Sequence, residues 1–197
     1  FNWPNSIKGS REVWPELKDA MANSARLGIA ATTVGVSIGL TIGIFAALRP
    51  GGKRDVAVNT AAFVGISIPP YISAILLQLV FAVYWSKWFG NTLFPTSGVY
   101  PPGQDGFDLV LMIKHMALPT VVVAIQVIAV YSRYMRSSLL DVLNSDYMRT
   151  ARSKGLSEFR ILMRHGVRNA LIPVITIAAL DIGAIIGGLI ITENIFD

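Results

Sequence analysis

Two long runs without a charged side chain constrain the fold of this chain more than any other feature. Leu27–Leu48 and Val56–Ser86 contain no Asp, Glu, Lys or Arg. Each run is at least as long as the stretch of about 20 apolar residues that crosses a bilayer as a helix. Backbone groups in lipid must form their hydrogen bonds within the protein, so the spanning elements are predicted to be helices. The chain is therefore predicted to be all-α, a polytopic transmembrane helical bundle.

The composition supports a membrane protein. Hydrophobic residues make up 53% of the chain and charged residues 15%, whereas a soluble domain carries about 25% charged residues. The chain contains no cysteine, which excludes a disulfide framework and a thiolate metal site within it. The net charge of +5 raises the possibility of nucleic-acid binding, but the placement of that charge argues against it.

Four spans are predicted. They are about Ala25–Leu48, Val56–Trp85, Leu118–Tyr134 and Pro173–Thr192. The second span is interrupted at Ser67–Tyr71, where two successive prolines remove backbone donors and break the helix. Pro173 suits the first turn of the fourth helix. The sequence begins at Phe1 and stops just after the fourth span, so we expect a middle portion of a longer protein.

The basic residues predict the orientation in the membrane. Most of the chain's 17 Lys and Arg residues lie in 49–55 and 133–168. The positive-inside rule places both segments in the cytoplasm. Residues 1–24 and 86–117 are then predicted to face outward, and 25–197 to form the transmembrane domain. This distribution predicts contact with membrane lipid and not with nucleic acid.

Small residues recur within two of the spans. Gly35, Gly39 and Gly43 are four residues apart in the first span, a spacing that lets another helix approach closely. Gly183 and Gly187 repeat the spacing in the fourth span. Both patterns are interpreted as helix-packing surfaces.

Asp181 is the carboxylate that lies well inside a predicted span. A charge at membrane depth is costly, so it either faces a polar pathway or joins two helices through a hydrogen bond. Both interpretations remain open. The weaker candidates for lining a pathway are Gln78, Gln126, Ser67 and Pro69. The last two lie at the helix break, where backbone carbonyls become available.

The cytoplasmic segment between the third and fourth spans predicts a compact elbow. Ser145 or Asp146 suits the cap of a short helix over 147–153, with Gly155 as its left-handed terminator. Ser157 suits the cap of a second helix, whose apolar residues recur at helical spacing. They are Phe159, Leu162, Met163, Val167, Ala170 and Leu171. The alternative is an ordinary basic loop that lies on anionic lipid.

The amino-acid sequence of this segment resembles a motif of a known family. Arg149-Thr150-Ala151-Arg152-Ser153-Lys154-Gly155-Leu156, followed by Arg168-Asn169-Ala170-Leu171-Ile172-Pro173, is similar to the "EAA" loop of bacterial ABC-importer permeases. Arg149 stands where the general consensus has Glu, and the distance from Gly155 to Pro173 is longer than usual. Both departures resemble the di- and oligopeptide branch, as does Gly187-Gly188-Leu189-Ile190-Ile191-Thr192-Glu193. The similarity covers about residues 10–197.

The resemblance implies a fold, a coupling loop and a location. The fold would be that of a type I ABC-importer permease with about six spans, of which about four are present. The loop at about 141–172 would contact an ATPase, and the protein would lie in the bacterial inner membrane. The coupling residues implied are Arg149, Thr150, Ala151, Arg152, Lys154, Gly155 and Leu156.

The same resemblance implies a function and partners. The chain would be a permease subunit that moves di- or oligopeptides inward by alternating access. A second homologous permease, two cytoplasmic ATPases and an extracytoplasmic substrate-binding protein would complete the importer. ATP and Mg would bind to the ATPases, so no cofactor is expected in this chain. Relatives of this branch also carry glutathione or nickel, and the spans do not separate these substrates.

Two other classes of function are alternatives to the importer. A gradient-driven transporter or channel would use Asp181 as its ion site and would need no ATPase. An intramembrane enzyme would need a catalytic constellation, but the sequence contains no HExxH, GxSxG or Walker A motif. His115 and His165 are too far apart in sequence to indicate a metal cluster. The chain is therefore not expected to be an enzyme.

Overall fold

The structure, a computed structural model, describes residues 13–91, 93–95 and 108–186. Within these residues the regular elements are helices, numbered α1 to α6 in chain order. They are α1 Val13–Ala47, α2 Lys53–Ser67, α3 Pro70–Phe89, α4 Leu109–Leu143, α5 Asp146–Ser153 and α6, which continues through Glu158–Ile161, Leu162–Val167 and Arg168–Ile186. The all-α prediction is confirmed for the described part of the chain.

Three of these helices are long and apolar enough to cross a membrane. They are Ala20–Ala47 within α1, Pro70–Phe89 and Leu109–Leu143. The second predicted span is two helices, because the proline break separates α2 completely from α3. The fourth predicted span, Pro173–Thr192, continues past Ile186 and so lies partly outside the described residues.

Helix α4 is longer than the predicted span Leu118–Tyr134. It begins after Asp108, whose Oδ1 accepts hydrogen bonds from the N–H groups of Val110 (2.9 Å) and Leu111 (3.1 Å). At 1.5 Å per residue, a helix from Leu109 to Leu143 is about 50 Å long. The hydrocarbon core of a bilayer is about 30 Å thick. Part of α4 therefore lies beyond the hydrocarbon core, and its last turns lead into the predicted elbow.

Helix α6 joins the helix predicted after Ser157 and the predicted fourth span into one continuous helix. Pro173 lies inside this helix and not in its first turn, because the backbone has been helical since Glu158. The turns over Leu162–Val167 have π geometry, which accommodates one more residue per turn than regular α-helix does.

The π segment changes which residues of α6 are buried. Ile161 and Val167 are buried, whereas Phe159 is 74% exposed and Met163 46% exposed. Phe159 and Met163 belong to the apolar face that the regular helical period predicts, but both are exposed in the structure. The added residue rotates the face of the helix between its first turn and its membrane portion.

Helix α4 lies at the centre of the bundle, and α1, α2, α3 and α6 all pack against it. Gly35, Gly39 and Gly43 of α1 face α4; a Cβ at Gly43 would lie 2.6 Å from the carbonyl oxygen of Ser132. The two backbones approach so closely because these positions carry no side chain. The main core cluster joins α1, α4 and α6. Its buried members are Ala47, Tyr131, Met135, Leu139, Val167, Ala170 and Val174.

Candidate functional site

The predicted elbow consists of α5, the connection through Gly155 and the first turns of α6. Gly155 has a φ of +74°, a left-handed conformation that favours glycine. Ser145 and Ser157 occupy the predicted N-cap positions, but neither side chain forms a cap hydrogen bond. The Ser145 hydroxyl instead donates to the carbonyl oxygen of Val142, which ties the start of α5 to the end of α4.

The inner side of the elbow is a small apolar core. Met148 of α5 and Ile161 of α6 are fully buried, and Ala151 is nearly so. Leu156 and Leu143 pack against them. Because Leu143 ends α4, this cluster attaches the elbow to α4 by side-chain packing as well as by the chain itself.

The outer side of the elbow is polar and largely basic. Arg149, Thr150, Arg152 and Lys154 are exposed. Arg152 Nε lies 3.3 Å from Glu158 Oε1, an ion pair that bridges the turn at Gly155. Arg149 Nη1 lies 3.6 Å from Asp146 Oδ1, and the Thr150 hydroxyl donates to the carbonyl oxygen of Asp146 at 3.1 Å.

An exposed aromatic residue and open space complete that outer surface. Phe159 projects into solvent beside the basic residues. A Cβ at Gly155 would meet no atom within 4 Å. The elbow thus presents arginines, the exposed Phe159 ring and an open turn at Gly155, and aromatic and arginine side chains are enriched in protein interfaces.

The break between α2 and α3 is held by a side chain from α4. In an uninterrupted helix the carbonyl of Gly65 would accept from the N–H of residue 69, but that residue is Pro69 and has none. Gln126 Nε2 donates to the Gly65 carbonyl at 2.8 Å and to the Ile68 carbonyl at 3.1 Å. The Ser67 hydroxyl bonds within its own helix, to the carbonyl of Phe63 at 2.7 Å.

Asp181 lies in a contact between α6 and α4. Its Oδ2 accepts a hydrogen bond of 2.7 Å from the hydroxyl of Tyr131, and Tyr131 is almost completely buried. A second tie joins the same two helices, because the Ser138 hydroxyl donates to the carbonyl of Ala170 at 2.8 Å. This geometry favours the interpretation in which Asp181 joins two helices.

The predicted pathway residues divide into two groups. Gln126, Ser67 and Pro69 meet at the helix break, whereas Asp181 contacts Tyr131. Gln126 and Tyr131 are five residues apart on α4, which places them about 140° apart around that helix. Gln78 is half-buried on α3. Gly183 lies in α6 and Gly187 lies outside the described residues, so their packing role stays a prediction.

An ion pair at the start of α2 was not predicted. The Arg136 guanidinium binds Asp55 through two nitrogens, with Nη2 2.7 Å from Oδ2. The N–H of Gly51 and the amide of Asn59 each donate to the same carboxylate at 2.8 Å. The Arg136 hydrogen bond lowers the pKa of Asp55 to about 2, against the opposing effect of burial.

The sequence did contain a signal for this pair. Asp55 directly precedes one predicted span and Arg136 directly follows another. Spans that run in opposite directions bring such ends to the same face of the membrane, where unlike charges at span ends can pair. The particular partner could not be chosen, because Arg133 lies one helical turn away.

One family model matches most of the chain. The family described as "Binding-protein-dependent transport system inner membrane component" matches residues 39–197. This chain belongs to that family. It is therefore an inner-membrane component of a transport system, and the family is not one of enzymes.

Several curated relatives are similar to the chain. It is 40% identical over 176 residues to the oligopeptide transport system permease protein AppB of Bacillus subtilis, covering 89% of this chain and 54% of the relative. It is 39% identical over 193 residues to the dipeptide transport system permease protein DppB of the same organism, covering 98% and 57%. It is 32% identical over 212 residues to DppB of Escherichia coli, covering 97% and 60%. The chain thus spans little more than half the length of these relatives.

Proposed function

We propose that this chain is part of the permease subunit of an ATP-driven ABC importer for di- or oligopeptides. Family membership supports the transport role. The relatives are named as dipeptide and oligopeptide permeases, which supports peptides as the substrate class. By the positive-inside rule, the elbow lies in the cytoplasm.

The observation that carries the proposal is the geometry of the elbow. A short amphipathic helix is fixed to the end of α4 by buried Met148 and Ala151. Its other side presents Arg149, Arg152 and Lys154 to solvent, next to exposed Phe159. Aromatic and arginine side chains are enriched in protein interfaces. We assign the docking of an ATPase subunit to this surface, with ATP and Mg bound on that subunit.

The remaining partners follow from the same proposal. Two ATPases bind at the cytoplasmic side, a second homologous permease encloses the pathway, and an extracytoplasmic binding protein delivers the peptide. ATP-driven closure of the ATPases displaces the elbow. Because the elbow is packed on α4 and continuous with α6, the displacement reaches both helices and alternately opens the pathway to each side.

A gradient-driven transporter with Asp181 as its ion site is less well supported. The Asp181 carboxylate is hydrogen-bonded to the buried Tyr131 hydroxyl. The family is defined by binding-protein-dependent transport, which is not the behaviour of a gradient-driven carrier.

The substitution Gly155→Trp tests the docking surface. The space around Gly155 is open within this chain, so a bulky side chain there projects toward the partner. We expect co-purification of the complete protein from native membranes to recover an ATPase and a second permease with the wild type. Gly155→Trp should retain the second permease and lose most of the ATPase, as identified by mass spectrometry.

Gly90→Trp is the matched control. Gly90 has the same φ of +74° and also has nothing within 4 Å of a Cβ, so the backbone strain is the same. It is predicted to lie on the outward-facing side, and ATPase recovery should be unchanged. Full ATPase recovery with Gly155→Trp would refute docking at the elbow, and a wild-type protein that purifies alone would refute the importer.

A further inference from the structure

A cavity of about 500 Å³ opens between α2 and α4 and has no part in the proposed coupling. The two helices run antiparallel there, because Asp55 meets Arg136 at one end and Gly65 meets Gln126 at the other. The Asp55 end is the cytoplasmic one by the positive-inside rule. The cavity therefore lies along the cytoplasmic half of this helix pair.

The lining changes from polar to apolar along the helix axes. Asn59 and Ser137 line the cytoplasmic end, Phe63 and Arg133 the middle, and Ile66 and Val130 the end nearer the membrane centre. Each helix advances about 10 Å over these seven residues at 1.5 Å per residue. That is the order of polarity that a phospholipid presents, from its headgroup to its acyl chains.

Arg133 lines the cavity without an ion-pair partner among the described residues. Its guanidinium carbon lies 4.2 Å from the centroid of the Phe63 ring, a cation–π contact that fixes its position. In the described part of the chain no carboxylate forms an ion pair with it. By contrast, the charge of Arg136 is neutralised by Asp55.

The depth of Arg133 matches that of lipid phosphate. It lies at the cytoplasmic end of the predicted span Leu118–Tyr134, next to exposed Tyr134, and tyrosine is enriched at the membrane interface. An arginine side chain near the end of a span extends to the membrane interface, where the lipid phosphates lie. Arginine binds phosphate oxygens in a bidentate manner.

We propose that this cavity is a binding site for an anionic phospholipid of the cytoplasmic leaflet. The phosphate binds the Arg133 guanidinium, with the hydroxyls of Ser137 and Tyr134 beside it. The first methylenes of the acyl chains lie against Ile66 and Val130. The proposal depends on the membrane topology but not on which substrate the importer carries.

The test is lipid retention by the complete protein, with its companions, in nanodiscs. The nanodiscs contain phosphatidylcholine with a minor share of phosphatidylglycerol, and native mass spectrometry counts the lipids that remain bound after release. We expect the wild type to retain phosphatidylglycerol preferentially. Arg133→Gln should lower that preference about fivefold, the factor that corresponds to about 1 kcal/mol for one basic residue at an anionic surface.

Three further arms make the result decisive. Arg164→Gln removes the same charge from an exposed residue outside the cavity and should keep the wild-type preference. Arg133→Lys keeps the charge and should retain part of the preference for phosphatidylglycerol, which would show that the site still folds. Inorganic phosphate added before release should leave the wild-type preference for phosphatidylglycerol unchanged.

Several outcomes would overturn the proposal. They are a wild type without preference for phosphatidylglycerol, an unchanged preference in Arg133→Gln, and displacement of the lipid by inorganic phosphate. The sequence contains no cysteine, so Tyr134→Cys introduces a unique cross-linking site into these residues. Efficient cross-linking of that cysteine to a companion protein would show that protein and not lipid covers the cavity.

Discussion

At the scale of single residues, the Asp55 side chain is held by several hydrogen bonds and an ion pair. Its carboxylate receives two nitrogens of Arg136, the N–H of Gly51 and the amide of Asn59. The side chain of Asp55 is only 4% exposed. Such a carboxylate is stable in the fold only while it is ionised and paired, since a buried charge without its partner is strongly destabilising.

The pH dependence of stability follows from the lowered pKa of Asp55. Its folded pKa of about 2 is below its ordinary value of 3.8, so its stabilising contribution is fully present above pH 4 and is lost as the pH falls towards 2. Asp55→Asn should lower the melting temperature at neutral pH, at a cost of about 3 kcal/mol from the unpaired Arg136. Its melting temperature should also fall less steeply than that of the wild type below pH 4.

Thermal unfolding of the purified protein in detergent, measured across this pH range, checks the prediction. Asp141→Asn is the control, because Asp141 is an exposed carboxylate on the same helix as Arg136. Parallel pH profiles for wild type and Asp55→Asn would show that the ion pair does not contribute to stability.

At the scale of elements, the pattern of apolar residues predicted which segments are helices. The uncharged runs, the double proline and Gly155 correspond to α1, the α2–α3 break and the turn after α5. These features depend on local backbone chemistry, which a single sequence contains. The partners in contacts between distant residues were not predictable in this way, as the contacts of Gln126, Tyr131 and Arg136 show.

Helix α6 shows a second limit of the sequence pattern. No single residue in the sequence indicates that the turns over Leu162–Val167 have π geometry. A regular period places Phe159 and Met163 on the apolar face of the helix, but the structure exposes both. Because Phe159 is exposed, it can belong to the proposed docking surface.

The helix break gives a prediction at the same scale. Gln126 supplies the donor that Pro69 cannot, so Gln126→Leu leaves the Gly65 carbonyl without a partner in a half-buried place. An unsatisfied buried acceptor costs about 1–3 kcal/mol. We expect the backbone amides of Tyr71, Ile72 and Ser73 to exchange with deuterium faster in this variant, because the start of α3 is no longer held to α4.

Ser67→Ala is the control for the break. It removes a hydroxyl that bonds only within its own helix, and it should leave deuterium exchange at the break unchanged. If exchange is equally slow in Gln126→Leu, then packing alone holds the break and the Gln126 amide is dispensable.

At the scale of the whole molecule, the ties form one connected route. The elbow is packed on α4 through Met148 and Leu143. Helix α4 is joined to α6 through Tyr131 and Asp181. It is also joined to the start of α2 through Arg136 and to the break through Gln126. A displacement at the elbow can therefore reach α6 and α2 through α4.

The hydrogen bond between Tyr131 and Asp181 provides a test that distinguishes the proposed ATP-driven mechanism from an ion-driven one. Tyr131→Phe keeps the ring in the core but removes the hydrogen bond to Asp181, so α6 is no longer tied to α4 at that depth. We expect peptide uptake per ATP hydrolysed to fall about fivefold in proteoliposomes that contain the assembled importer. Single residues in coupled networks change coupling by about 0.5–2 kcal/mol. Tyr84→Phe, the same change at an exposed position of α3, should have no effect.

Asp181→Asn then distinguishes the two roles of that residue. An amide oxygen still accepts a hydrogen bond from the Tyr131 hydroxyl, so a structural tie survives this substitution and uptake per ATP should stay near that of the wild type. An ion site would lose its carboxylate and transport would collapse. Loss of uptake in Asp181→Asn together with normal uptake in Tyr131→Phe would contradict the tie and favour ion coupling, because only the second mechanism needs the charge more than the hydrogen bond.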